Sequence, residues 1–285
     1  MLQKPPWLRV RYTHDPNLDV VEELLRARNL NTVCREANCP NYVECFSKKT
    51  ATFMILGTNC TRNCRFCNVT FDAPQPTDPD EPRRVAEAVA ALGLQYVVIT
   101  SVTRDDLPDG GAAQFAAVIR ALREEAPHTA VEVLIPDFQG NIDALRQVAD
   151  AKPDVISHNM ETVAALYDAV RPQADYQQSL DVLKGIKALD PGIRSKTGIM
   201  LGLGETKAQV LSLFDDLWAV GCEFLTIGQY LAPTRAHYPV QSYVTPEQFD
   251  EYGDIARTKG FTFVASAPLV RSSYHAGEAL GRGLE

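Results

Sequence analysis

Six of the seven cysteines lie between Cys34 and Cys67, leaving only Cys222 outside. Thiolates are nucleophiles, redox centres and soft metal ligands, so this stretch is where the chain is best equipped for chemistry. The six form two triplets. The second triplet, Gly57-Thr-Asn-Cys60-Thr-Arg-Asn-Cys64-Arg-Phe-Cys67, has the spacing C-x3-C-x2-C. Three thiolates so close together can surround one face of a cluster. A structural zinc or an electron-transfer cluster takes four protein ligands. Three leave one metal open to an outside molecule, which makes a site reactive. The competing reading is a zinc knuckle completed from elsewhere, but zinc ligands usually come as two C-x2-C-like pairs, and the second pair is missing. The first triplet, Cys34-Arg-Glu-Ala-Asn-Cys39-Pro-Asn-Tyr-Val-Glu-Cys45, is spaced C-x4-C-x5-C, and none of the five histidines falls between Cys34 and Cys67. A second cluster with a distant fourth ligand is preferred there to zinc or an inert buried trio. Cys222 reads as a small buried apolar residue.

Segment 1–11 holds charge and two prolines but no apolar core of signal-peptide length. No apolar run approaches the roughly 20 residues that cross a bilayer. The expected setting is the reducing cytoplasm, where clustered cysteines are metal ligands or redox centres rather than disulfides. A net charge of −8 argues against a nucleic-acid partner, and no membrane partner is expected.

The elements that must position these cysteines follow from periodicity. Short β-like runs at 52–56, 96–100, 130–135, 154–157, 196–201, 224–227 and 261–264 alternate with helical spacing of apolar residues. Val85, Val89 and Leu92 mark one helix; Phe115, Ile119 and Leu122 the next; Ile142, Leu145 and Val148 a third. Val210, Leu213, Leu217 and Val220 mark a fourth, and Phe249, Tyr252 and Ile255 a fifth. This alternation predicts an α/β fold with a parallel sheet covered by helices. Polar residues gather just past the strand ends: Thr58, Asn59, Ser101, Asp137, His158, Asn159, Glu205 and Gln229. Parallel α/β folds carry their chemistry at that rim. Residues 1–51, with one helical stretch at Val20, Val21, Leu24 and Leu25, read as an N-terminal extension that bears the first triplet. Residues 52–265 form the main domain and 266–285 a C-terminal segment.

A C-x3-C-x2-C loop after the first strand of a β/α domain, with Phe66 before the last cysteine, resembles the radical S-adenosylmethionine superfamily. With the first triplet, Thr100-Ser-Val-Thr-Arg-Asp-Asp-Leu-Pro-Asp-Gly-Gly111, His158-Asn-Met-Glu-Thr162, Lys196-Thr-Gly-Ile-Met-Leu-Gly-Leu-Gly-Glu205 and Arg271-Ser-Ser-Tyr-His-Ala276, the likeness narrows to the lipoyl synthase family. It covers nearly the whole chain.

The resemblance implies a partial (β/α)6 TIM-like barrel with N- and C-terminal extensions. It also implies two 4Fe-4S clusters and S-adenosylmethionine, which is cleaved to a 5′-deoxyadenosyl radical. By it, Cys60, Cys64 and Cys67 hold the cluster that binds S-adenosylmethionine. Cys34, Cys39 and Cys45 hold an auxiliary cluster whose sulfur enters the sixth and eighth carbons of a protein-bound octanoyl-lysine. The family places a fourth, serine ligand at Ser273, with Ser272 as fallback and Arg271 beside the same cluster. Contacts to S-adenosylmethionine are expected from Asn68, Thr100, Ser101, Asp106, Glu161, Arg171 and Lys196. The glycine-rich stretch with Gly198, Gly202 and Glu205 would let backbone approach the adenine. Implied partners are an octanoylated carrier domain, an electron donor such as ferredoxin or flavodoxin, and a cluster-repair protein. Two alternatives are a two-cluster radical enzyme acting on a free small molecule and a non-catalytic metal-binding redox sensor.

Overall fold

The computed structural model describes residues 3–10, 15–48 and 52–281. Parts of the N-terminal extension (1–2, 11–14 and 49–51) and the end of the C-terminal segment (282–285) lie outside the described residues. The chain divides into two compact units, one made of 11–62, 68–156 and 273–285, the other of 1–10, 63–67 and 157–272.

In the first unit, strands Thr52–Ile55, Tyr96–Ser101 and Ala130–Leu134 pair in parallel, and Asn31–Thr32 adds antiparallel to Thr52–Ile55. All four residues of Thr52–Ile55 are buried, as expected for a parallel strand covered on both faces. Helices Glu81–Leu92, Ala112–Glu125 and Ile142–Asp150 supply the cover. Phe115, Ile119 and Leu122 are fully buried, each stabilising the fold by about 1.5–3 kcal/mol. Ile142, expected on an apolar face, is 47% exposed. It occupies the first helical position, and burial begins further along the helix, at Ala144 and Leu145.

In the second unit, Arg194–Leu201, Phe224–Gln229 and Phe263–Ser266 pair in parallel. Helix Lys207–Ala219 starts with a capping box of Thr206 and Gln209, and Pro246–Lys259 with a Thr245 cap. Helix Tyr176–Leu189, absent from the periodicity reading, buries Leu180, Leu183 and Ile186 behind an Asp175 cap. Gly185 interrupts its apolar pattern and lowers its helix propensity. The α/β class predicted from the alternation is the class observed.

Candidate functional site

Strand Thr52–Ile55 stops because Leu56 and Gly57 both turn left-handed, at φ 68° and 92°. For leucine that conformation costs roughly 1–2 kcal/mol. It is held by Glu81, whose carboxylate accepts the Leu56 N–H at 3.0 Å and the Gln114 amide at 2.9 Å. Burial raises the Glu81 pKa above the ordinary carboxylate value, and these donors offset the rise only in part.

The turn delivers Cys60, whose sulfur accepts backbone N–H groups from Thr103 at 3.3 Å and Arg62 at 3.5 Å. The Thr61 N–H and hydroxyl both donate to the Thr103 carbonyl at 3.0 Å, and the Asp105 N–H donates to the Thr61 hydroxyl. Arg62 is buried and forks onto two carboxylates. It reaches Asp105 at 2.6 and 2.9 Å and Asp137 at 2.7 Å twice. Burial disfavours its charge, but Asp137 and Asp105 outweigh that and raise its pKa.

From Asn63 the loop folds with the second unit. The Asn63 N–H donates to Gln173 at 2.6 Å, the Arg65 N–H to the Val170 carbonyl at 2.9 Å, and the Tyr238 N–H to the Arg65 carbonyl at 2.8 Å. Phe66 packs on a buried cluster of Val170, Leu203 and Tyr230. His237 Nε2 lies 3.0 Å from the Cys67 carbonyl. A carbonyl can only accept, so Nε2 donates to it, and Nδ1 lies 2.8 Å from the Thr234 hydroxyl.

The first triplet is built by two short helices of the first unit. Thr32 caps Val33–Glu36 by accepting the Cys34 N–H at 3.2 Å and ties it to the sheet by donating to the Thr52 carbonyl at 2.8 Å. The Cys39 N–H returns to the Cys34 carbonyl at 3.1 Å, and Tyr42–Ser47 carries Cys45. Burial pushes the Cys45 thiol up to about 12, and the charges of Cys34 and Cys39 push it the same way. All three cysteines lie in the segment 34–45 of the first unit. All are free thiols. No three His, Cys, Asp or Glu side chains among the described residues converge as a single ion would need. One tetrahedral ion draws thiolates to about 2.3 Å from a common point, whereas a four-iron cube spaces its ligands by its own width. The donor set, three soft sulfurs twice over, fits such cubes.

The C-terminal motif divides between the units. Ser272 belongs with the second, its Cβ 3.3 Å from where a side chain on Gly198 would begin. Ser273 belongs with the first, the unit that holds Cys34, Cys39 and Cys45. Tyr274 follows it and bonds Glu44, the neighbour of Cys45. Arg271, expected near that triplet, sets its guanidinium against Gly228 and within electrostatic reach of Glu161.

The residues expected to meet S-adenosylmethionine fall into two kinds. Some already spend their polar atoms on the protein. The Thr100 hydroxyl donates to the Leu134 carbonyl at 3.1 Å, and Asn68 donates to the Glu36 carbonyl at 2.7 Å. Asp106 takes a two-pronged bond from Arg104, which lowers its pKa, and Glu205 accepts its own turn's N–H groups from Gly202 and Leu203. Arg171 is buried and donates to the Asn159 and Met160 carbonyls, and Lys196 is fully buried in its strand. Ser101 remains open: its Oγ in the first unit is buried without a partner, a condition that asks for a ligand or water. Asn159 Oδ1 in the second unit, a residue not among those expected, is buried without a partner in the same way.

Glu161 beside Asn159 sits at φ 64°, accepts the Asn159 amide at 3.0 Å, and has its pKa raised by burial against the pull of Arg171. Gly198 keeps the strand close to its neighbours: a Cβ there would lie 2.9 Å from Asn159 Oδ1 and 2.8 Å from Thr226 Oγ1, so one of them would have to move. At Gly202 a Cβ would meet Gln229 Nε2 at 2.2 Å.

Sequence reasoning missed Arg62, Asn159 as a ligand candidate, His237 and Glu44. The first carried a usable signal: a cation inside the cysteine loop of a chain that places Asp105 and Asp137 past its strand ends. Cys222 is buried, as expected, with its thiol pushed up to about 12 by burial.

Residues 54–217 match the Radical SAM superfamily. A protein named lipoyl synthase from Alkaliphilus metalliredigens is 57% identical over 278 residues, covering 98% of this chain and 96% of its own. Another from Caldanaerobacter subterraneus is 57% identical over 284 residues, covering 99% of each. Among solved structures, the FeFe-hydrogenase maturase HydG superposes with a TM-score of 0.60 at 15% identity, covering 97% of this chain and 62% of that one. That last likeness shows a shared fold.

Proposed function

This chain belongs to the lipoyl synthase family of the radical SAM superfamily, and from that premise we propose that it inserts two sulfur atoms at the sixth and eighth carbons of a protein-bound octanoyl-lysine. The sulfur is supplied by an auxiliary 4Fe-4S cluster that is used up as a substrate. The observation that carries this reading is the first triplet: Cys34, Cys39 and Cys45 fall within twelve residues of one another, in the same unit as Ser273.

Cys60, Cys64 and Cys67 would hold the first cluster, and its open iron would take S-adenosylmethionine. When bound and reduced, that pair supplies a carbon radical able to take hydrogen from an unactivated carbon. The protein's part is positioning. Two backbone N–H groups on the Cys60 sulfur disperse its charge, the kind of contact that tunes a cluster. In the first unit, Ser101 offers a hydroxyl for the ribose or amino group of S-adenosylmethionine. Phe66, packed on Val170, Leu203 and Tyr230, anchors the Cys64–Cys67 segment to the apolar core of its unit.

An oxygen-free assay with an octanoylated lysine peptide, S-adenosylmethionine and a strong reductant tests the proposal. Mass gain from two sulfurs on the peptide is expected. Reaction with free octanoate alone would move the chain to the small-molecule reading, and absence of S-adenosylmethionine cleavage would defeat the radical one.

A further inference from the structure

The C-terminal motif is secured by a contact that the cluster ligands do not require. The Tyr274 hydroxyl lies 3.1 and 3.0 Å from the two carboxylate oxygens of Glu44 and donates its one proton between them. His275 stacks on the Tyr274 ring, centroids 4.1 Å apart, and brings Nε2 to 3.5 Å from the same carboxylate. His275 Nδ1 meets Glu278 at 2.8 Å, and Ala276 beyond it is buried. Lys48, four residues on from Glu44, donates to its Oε1 at 2.9 Å. Glu44 directly precedes Cys45 and Tyr274 directly follows Ser273. The contact thus joins the neighbours of two proposed ligands to one auxiliary cluster.

We infer that Glu44 is a positioning residue: through the Tyr274 hydroxyl it fixes the C-terminal segment to the helix that carries Cys45, so that Ser273 is presented to the cysteine triplet before a cluster is bound and stays there after it is spent. The inference rests on the reading of Ser273 given above. A ligand on a chain end is useful only at high local concentration, and a tether one residue away supplies that concentration without a further binding event. A hydrogen bond to a charged acceptor is strong enough for the task where an uncharged one at a half-exposed site is weaker.

The test uses the full chain, first free of cluster. Trypsin cutting after Arg271 reports release of the segment, and cuts elsewhere in the same digest report global folding. Tyr274→Phe and Glu44→Ala should each raise the Arg271 cut roughly tenfold, the factor expected from losing one charge-assisted hydrogen bond. Glu44→Gln, whose amide oxygen still accepts the tyrosine proton but carries no charge, should fall between the parent and Glu44→Ala. After reconstitution, Tyr274→Phe and Glu44→Ala should show an altered electron paramagnetic resonance signal of the auxiliary cluster and more once-sulfurated peptide. Parental cutting in both variants would overturn the inference. So would faster cutting with an unchanged signal and product ratio, which would reduce the contact to packing. Ser273→Ala separates the two readings: it should keep parental cutting while altering the auxiliary signal. Normal turnover and signal in Ser273→Ala would remove the serine ligand, and with it the purpose assigned to the tether.

Discussion

At the scale of single residues, polar atoms divide into those the fold consumes and those it leaves open. Arg62 is the clearest of the first kind. Replacing it by alanine strands Asp105 and Asp137 beside each other with their shared cation gone. Stability measured by denaturant unfolding of the cluster-free chain should fall by about 3–5 kcal/mol. A loss below about 1 kcal/mol would show the network to be solvated and dispensable. Ser101 is of the second kind. Because its hydroxyl has no partner, Ser101→Ala should leave stability within about 0.5 kcal/mol, yet weaken S-adenosylmethionine binding by roughly tenfold in calorimetry. Equal affinity for the variant would take Ser101 out of the site. The cysteines could be read from spacing alone, since thiolate chemistry needs few other cues. Ser273 could not, because a serine near a chain end has no pattern of its own and only the family likeness singled it out. Asn159 was hidden for another reason: an unpaired amide oxygen is a property of packing, and packing is not written in local sequence.

At the scale of elements, the strand-to-loop reversal at Leu56 and Gly57 depends on a distant helix through Glu81. Its carboxyl pKa is raised in the folded chain above the ordinary 4.5, so the folded state binds its proton more tightly than the unfolded one. The associated stability is therefore greatest below pH 4.5 and declines as pH rises through the raised value. Glu81→Gln cannot titrate, so its stability relative to the parent should improve with rising pH across that window. A constant difference between the two in unfolding experiments would show that Glu81 does not feel its burial. Strand positions were legible because parallel strands are continuous apolar runs flanked by polar ends. Tyr176–Leu189 was not, with Gly185 inside it and no clean apolar stripe. Its Asp175 cap was the available signal, and Asp175→Ala should cost about 1 kcal/mol, read as a lower unfolding midpoint.

At the scale of the molecule, two triplets in a chain nearly collinear with its lipoyl synthase relatives carry a stoichiometric expectation. Protein reconstituted without oxygen should hold iron and sulfide for two four-iron clusters, about eight of each, and no zinc. Removing Cys34, Cys39 and Cys45 together should halve both and spare S-adenosylmethionine cleavage. Zinc in place of iron would return the chain to the metal-binding alternative. No helix among the described residues is long and apolar enough to cross a membrane. The amides on Cys60 add a consequence for how such a centre can vary. Both donors to its sulfur are main-chain groups, from Thr103 and Arg62. Side-chain replacement at either position leaves the donor in place, and among natural residues only proline deletes it. The electrochemistry of that ligand is thus shielded from ordinary mutational drift, and Thr103→Pro is the single change at these two positions that could retune it while sparing the Arg62 ion pairs.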